Sequence, residues 1–257
     1  MNIYQHFRSE ERTFVDQVVG WKQDVSIQYT YKLTDFLDPR EQDIVKAVIG
    51  KDEEISLSFW GGSPNAERKR ALLSPPYFDL SKKDFQIQPY ELRYPKKFIT
   101  LEHRDVLGSL MGLGMKREKF GDIFLTEEVI QLLVANEVAS FIELNLQKVG
   151  QAKVKIVPIK DEDIIQQVEE WTEESTTISS LRLDTLLSGM YNISRSKSAL
   201  YIDRGFVKVN WKTIEDGSFQ VQEGDYLSVR GFGRSKLFSI TGTTKKGKIR
   251  IIFGRKK

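Results

Sequence analysis

The sequence predicts an α+β protein in three units. A mixed helical and strand unit covers residues 1–80, a ferredoxin-like βαββαβ domain covers 81–160, and a small domain of two helices and a sheet covers 181–257 after an acidic linker at 161–180. Three observations lead there. Apolar residues recur at helical spacing in some windows and alternate as strands do in others. The middle third reads strand, helix, strand, strand, helix, strand. Charge is divided along the chain: residues 181–257 hold 16 Lys and Arg against 6 Asp and Glu, whereas residues 1–180 hold 23 against 30. A compact domain with that positive excess attracts polyanions, of which nucleic acid is the commonest.

In the first unit, residues 4–24 bring Phe7, Phe14, Val15, Val18 and Trp21 to one side of a helix. Asp38-Pro39 opens a second helix with Ile44, Val45, Val48 and Ile49 on its apolar side. Ile55 to Trp60 alternates as a strand, and Gly61-Gly62-Ser63-Pro64 breaks it. Glu67 to Leu73 then reads as a helix whose Arg68, Lys69 and Arg70 can bind RNA or simply form a solvated face, the solvated face being favoured.

The middle unit is read as strands at residues 86–94, 121–126, 129–135 and 153–159, with helices at 102–113 and 136–149. This RRM-like order sets both helices on one face of a four-stranded antiparallel sheet and leaves the other face free. The signature by which RNA-recognition motifs are known is absent, and Lys119-Phe120-Gly121-Asp122-Ile123-Phe124 matches it only loosely. Seven acidic residues and no basic one between Asp161 and Glu174, followed by Ser175-Thr176-Thr177-Ile178-Ser179-Ser180, read as the linker.

Several function classes drop out. No run of eighteen apolar residues is present, which gives no membrane span, and the first residues lack the basic start and apolar stretch of a secretory signal, so a cytoplasmic location is expected. Zero cysteines exclude disulfides and thiolate chemistry, and two histidines without carboxylates at ligand spacing give no metal site. His103-Arg104-Asp105 echoes a kinase catalytic loop, but Leu110 stands where its Asn belongs, and no phosphate-binding or dinucleotide glycine pattern occurs. The expectation is therefore a protein that is not an enzyme, with no catalytic residue and no cofactor.

In the last unit Ser180 is placed to cap a helix carrying Leu183, Leu186, Leu187 and Met190 at i, i+3, i+4 and i+7. Ser194 is placed to cap a second helix and Gly205 to close it, after which Phe206–Asn210 and Tyr226–Arg230 read as strands on either side of a Glu223-Gly224-Asp225 turn. Leu181-Arg182-Leu183-Asp184, Ser194-Arg195-Ser196-Lys197-Ser198, Gly205-Phe206-Val207-Lys208-Val209-Asn210 and Gly224-Asp225, in this order and spacing, closely resemble the S4 domain, a small RNA-binding module. That resemblance implies a helix pair whose second helix sets its basic start against RNA phosphates, and it makes Arg182, Ser194, Arg195, Lys197, Arg204 and Lys208 candidate contacts. A helix N-terminus beside arginines is also, physically, a phosphate site. Each residue has a plainer role open to it: Asp184 can pair with a neighbouring base, Ser194 can serve only as a cap, and Arg204 can complement the helix dipole. At the hairpin tip, where many such domains read Asn-Gly-Lys, this chain has Asn210-Trp211-Lys212; Trp211 can stack on an unpaired base or pack on its own sheet, and packing is the commoner fate. Arg230, Arg234 and Lys236, with the tail from Lys245 to Lys257, extend the basic surface and add non-specific affinity.

Asp35-Phe36-Leu37-Asp38-Pro39-Arg40-Glu41-Gln42, Ala66 to Leu73 and His103 to Gly114 extend the likeness over nearly the whole chain, which resembles the YlmH family of bacterial RNA-binding proteins. The resemblance implies a ribosome-linked role, with structured ribosomal RNA and tRNA on large ribosomal subunits carrying stalled peptidyl-tRNA as partners, no DNA specificity, and a link to cell-division genes. Two alternatives stand beside it: a subunit of an RNA-modifying enzyme, and a protein adaptor for the division machinery.

Overall fold

The computed structural model describes residue 7, residues 11–166 and residues 171–256. It divides into two compact units, Met1–Gln167 and Val168–Lys257. The expected helix over 4–24 lies partly outside the described residues; within them Phe7 is a bend and the helix is α1 (Arg12–Gln28). Among the described residues no helix is long and apolar enough to cross a membrane.

The first unit opens with α1, β1 (Lys32–Leu37), α2 (Pro39–Ile49), β2 (Ser56–Trp60) and β3 (Lys69–Ser74), the strands forming an antiparallel sheet in the order β1-β3-β2. The start of α2 is set by Asp38 and Glu41, each accepting a hydrogen bond from the other's backbone N–H, with Pro39 in the first helical position. Val15, Val18, Ile44, Val45 and Leu73 pack the two helices on the sheet.

The helix expected over Glu67–Leu73 is instead the central strand β3. Ala71, Leu72 and Leu73 are good helix formers, but each is fully buried, and a strand covered on both faces reads as a continuous apolar run rather than an alternating one. The three cations are correspondingly not a solvated face. Arg70 is 4% exposed and donates to Thr34 O (2.7 Å) and Gln86 O (2.9 Å) while pairing with Glu137 at 3.2 Å. Arg68 reaches Phe36 O at 2.8 Å.

The middle of the chain supplies β4 (Ile87–Arg93), α3 (His103–Gly112), β5 (Phe120–Leu125), β6 (Ile130–Ala135), α4 (Asn136–Asn145), a small hairpin of β7 (Lys148–Val149) and β8 (Ala152–Lys153), and β9 (Lys155–Pro158). Its sheet runs β5-β6-β4-β9 with every pair antiparallel, compatible with the ferredoxin-like reading. The second helix stops at Asn145 rather than 149, because Val149 and Ala152 are drawn into the core by a turn at Gly150, whose φ is +56°.

The face expected to be free is covered. All six residues of β6 are buried, and Leu133, Phe124 and Ala135 form one apolar cluster with Phe36 from β1 and Ile164. The approach is close enough to require glycine: a Cβ on Gly121 would stand 2.7 Å from the Phe36 ring, and one on Gly62 2.8 Å from Leu133. Gln131 ties the following segment down as well, donating to Asp163 O (2.9 Å) and accepting from Ile165 N (2.8 Å).

The second unit holds β10 (Trp171–Ile178), α5 (Leu183–Tyr191), α6 (Arg195–Asp203), β11 (Val207–Val209), β12 (Lys212–Thr213), β13 (Tyr226–Val229), β14 (Gly233–Thr243) and β15 (Ile249–Lys256), with the sheet order β10-β15-β14-β13-β11-β12. Residues 171–178 are therefore a strand and not linker. They pair with β15 from Trp171 opposite Lys256 to Ile178 opposite Ile249, and Glu174 meets Arg255 at 2.7 Å, so the acidity that suggests a solvated spacer matches a basic neighbouring strand. Within the basic C-terminal stretch Lys245, Lys246 and Lys248 are exposed, while Ile249–Lys256 is an internal strand with Ile251 and Phe253 buried beneath the helices beside Leu187 and Leu237.

Replacing Arg70 with Ala leaves two buried backbone carbonyls without their side-chain donor and Glu137 with Lys119 alone, and should cost roughly 2–4 kcal/mol of stability. Denaturant unfolding of the variant measures this; a loss below about 1 kcal/mol would show that water replaces the guanidinium and that Arg70 does not organise the first unit.

Candidate nucleic-acid interface

The helix pair of the second unit is built around one carboxylate. Arg182, held extended by a β-bridge to Gln220, is the residue from which α5 starts, so the cap falls two positions after Ser180, whose hydroxyl instead donates to Thr185 Oγ1 at 3.3 Å. Asp184 follows in the first turn with its side chain 10% exposed. Arg182 donates to it through Nε (3.2 Å) and Nη2 (3.1 Å), Thr185 through its hydroxyl (3.0 Å), and Arg195, from the start of α6, through Nε and Nη2 to Oδ2 at 3.1 and 3.0 Å. Burial pulls against ionisation, but the hydrogen bonds from Arg182, Arg195 and Thr185 outweigh it and hold the Asp184 carboxyl at about 2. Two guanidiniums are thus fixed side by side against one negative charge. The Arg195 side chain stays 60% exposed, so the pair retains a net positive charge and outward N–H donors.

The rest of the candidate set falls into three places. Ser194 caps α6 as expected, accepting from Lys197 N at 3.1 Å; Lys197 is exposed, with its ammonium 6.0 Å from the Phe232 ring. Arg204 and Arg230 lie at the other end of α6, where Gly205 takes a φ of +68°, Arg230 N donates to Phe206 O (3.0 Å) and the Arg230 guanidinium lies 4.8 Å from the Phe206 ring.

Lys208, Trp211, Arg234 and Lys236 share the sheet face turned away from the helices. Lys208 is exposed between buried Val207 and Val209, and Lys208, Ser228 and Arg234 form one cross-strand row. Trp211 packs back on its sheet, as the commoner fate of such a residue predicts: its ring lies 5.1 Å from that of Tyr226, with the Arg234 guanidinium 5.5 Å away. Asn210 and Trp211 both take left-handed φ values, 47° and 63°, and the Asn210 amide ties the tip to Asp225 at 2.7 Å. Lys236 bonds the Tyr226 hydroxyl at 3.0 Å and stands 4.4 Å from its ring. Lys212 is half-buried on the neighbouring strand β12.

Three aromatic residues of this face escaped the sequence reading. Trp171 lies 6.0 Å from both Tyr226 and Phe238. A Cβ on Gly254 would collide with the Phe238 ring and crowd Trp171, so glycine there lets both rings lie across the strand. The signal available was the alternation of β13 and β14; Trp171 was hidden by the acidic stretch around it. Aromatic rings that seat cations at 4–6 Å hold positive charge in fixed places, a surface suited to phosphates and to unpaired bases.

Family models match most of the chain: "YlmH, N-terminal" at residues 10–78, "Putative RNA-binding domain in YlmH" at 81–163 and "S4 domain" at 181–227. The chain is 48% identical over 256 residues to the "Ribosome-associated protein quality control protein P2" of Bacillus subtilis (strain 168), spanning 100% of this chain and 99% of the relative. The solved structure of "Cell division protein ylmH from Streptococcus pneumoniae" is similar with a TM-score of 0.54 at 32% identity, covering 63% of this chain and 99% of that one.

The depressed Asp184 carboxyl has a sign that can be checked. Its stabilising effect is present above the ordinary value of 3.8 and is lost as pH falls toward about 2. Asp184→Asn should lower neutral-pH stability by roughly 1–2 kcal/mol, and the gap to the parent should close between pH 4 and 2. Unfolding curves across that window test this, and a gap that does not vary with pH would show that charge at Asp184 is not what holds the arginines.

Proposed function

Because the chain belongs to the YlmH family, we propose that it is a ribosome-associated RNA-binding protein whose second unit docks on RNA phosphates through the paired arginines and the start of α6. The observation that carries this reading is the convergence of Arg182 and Arg195 on one buried carboxylate beside a helix start capped by Ser194. Backbone N–H groups at a helix start, two oriented guanidiniums and exposed Lys197 together present donors to a phosphate without having to be ordered on binding. The outer sheet face, with Lys208, Lys236, Arg234 and Trp211, extends the contact toward a second strand or an unpaired base. Lys212, Arg204 and Arg230 border these surfaces and add sequence-independent attraction.

The partner in this reading is structured RNA of the large ribosomal subunit, with tRNA stalled on it, and the protein acts by binding rather than by chemistry. Three things support that choice: the family, the Bacillus subtilis relative's printed name, and a surface built for phosphates rather than for base edges.

Two measurements test it. Lys197→Ala should leave stability unchanged and lower the slope of log affinity against log salt by about 0.7–0.9 on ribosomal RNA. Arg195→Ala should lower the slope similarly and also reduce melting temperature, since Asp184 loses a partner. The protein should cosediment with large ribosomal subunits at low salt. Unchanged slopes in both variants, or the protein confined to free fractions, would overturn the reading and favour a protein adaptor.

A further inference from the structure

The middle domain matches a family model named for RNA binding, yet the sheet face that RNA-recognition motifs use is filled by Phe36 and Ile164. Any RNA contact by this domain therefore needs another surface. One end of its sheet carries a basic cluster inside a part of the chain that is otherwise acidic. Arg93 is the last residue of β4 and stands directly opposite Lys155 on β9; Lys148 stands opposite Lys153 in the neighbouring hairpin. Lys96 and Lys97 follow in the loop after β4, and all six cations are exposed.

Like charges placed opposite one another across a strand pair are destabilising. Here two such pairs lie close together in the chain, and no acidic residue occurs in residues 92–98 or 144–158. Arg93 pairs with Glu91 at 2.7 Å, while the five lysines have no ion-pair partner among the described residues. Folding does not call for this arrangement. In the same loop Phe98 is 85% exposed, the most exposed large apolar side chain of the described residues. Phosphates would relieve the repulsion, and a protruding ring beside cations suits stacking on an unpaired base.

We propose that Arg93, Lys96, Lys97, Lys148, Lys153 and Lys155, with Phe98, form a second RNA-binding surface that grips the phosphate backbone and stacks one base. The inference rests on RNA being the partner, as argued above, but concerns a different unit, so the two can fail separately. With purified large-subunit ribosomal RNA and the full chain, Lys148→Ala/Lys153→Ala/Lys155→Ala should lower the salt slope by about 2 to 3. Its melting temperature should stay the same or rise, because the facing charges are gone. Lys96→Ala/Lys97→Ala, in the loop outside the strand ladder, should lower the slope by about 1.4 to 1.8 and guards against a folding defect in the triple variant. A photoreactive residue at position 98 should crosslink to RNA. Slopes equal to the parent's in both lysine variants, or a crosslink to protein alone, would overturn the proposal. If these variants lose affinity while Arg195→Ala and Lys197→Ala do not, the second surface stands and the helix-pair reading falls.

Discussion

A charge withdrawn from water has to be met by fixed partners, and in each unit of this protein one such charge ties separate elements together. In the first unit it is Arg70, whose guanidinium joins a carbonyl of β1, a carbonyl at the entry to β4 and the carboxylate of Glu137 at the start of α4. One side chain thereby ties the small three-stranded sheet to the four-stranded one. In the second unit it is Asp184, which draws arginines from the starts of both helices to one point. The two sites differ in what they leave over. Arg70 is consumed by its partners, whereas Asp184 has more donors than it can satisfy, and the surplus points outward. That difference separates a charge used up inside the fold from one that sets the surface proposed above to bind RNA.

The apolar contact behind Arg70 redirects the first unit's surface chemistry. Phe36 lies against Leu133 and Gly121, leaving no open platform on the middle sheet, so the ferredoxin-like arrangement acts there as a core layer. Fold and binding mode come apart in this unit: the order of elements is shared with RNA-recognition motifs, while the face those motifs use is interior. In the second unit the relation is reversed. Among the described residues of that unit the outer face of its sheet is not covered by helices, and its rings are held by one another and by cations.

The parts of this architecture legible in the sequence are those whose determinants are local. Leu183, Leu186, Leu187 and Met190 repeat at helical spacing, Ser194 caps through a residue three positions on, and Gly205 meets a conformation that side chains resist; the helix pair follows from these. What escaped depends on distant partners. β3 is built from helix formers because both of its faces are buried by other segments, and propensity yields to that. β10 reads as a spacer because its acidic residues match a strand that begins some seventy residues later. The three cations at 68–70 are alike as letters, yet only their surroundings tell that Arg70 is internal. Candidate contacts were legible as residue types at the right end of the chain; the clamp that aims two of them was not, since no spacing pairs Arg195 with Asp184 until α5 and α6 are docked.

The pairing of β10 with β15 also bears on how the second unit comes into being. Its first strand, Trp171–Ile178, finds its neighbour only in Ile249–Lys256, and the same late strand lays Ile251 and Phe253 beneath the helices. During vectorial synthesis the helix pair can form early, but it has no complete floor until those last residues have left the exit tunnel. A nascent chain stopped short of β15 would carry the arginines without the layer beneath them, so the arrangement proposed above to bind RNA is completed late and all at once rather than grown strand by strand.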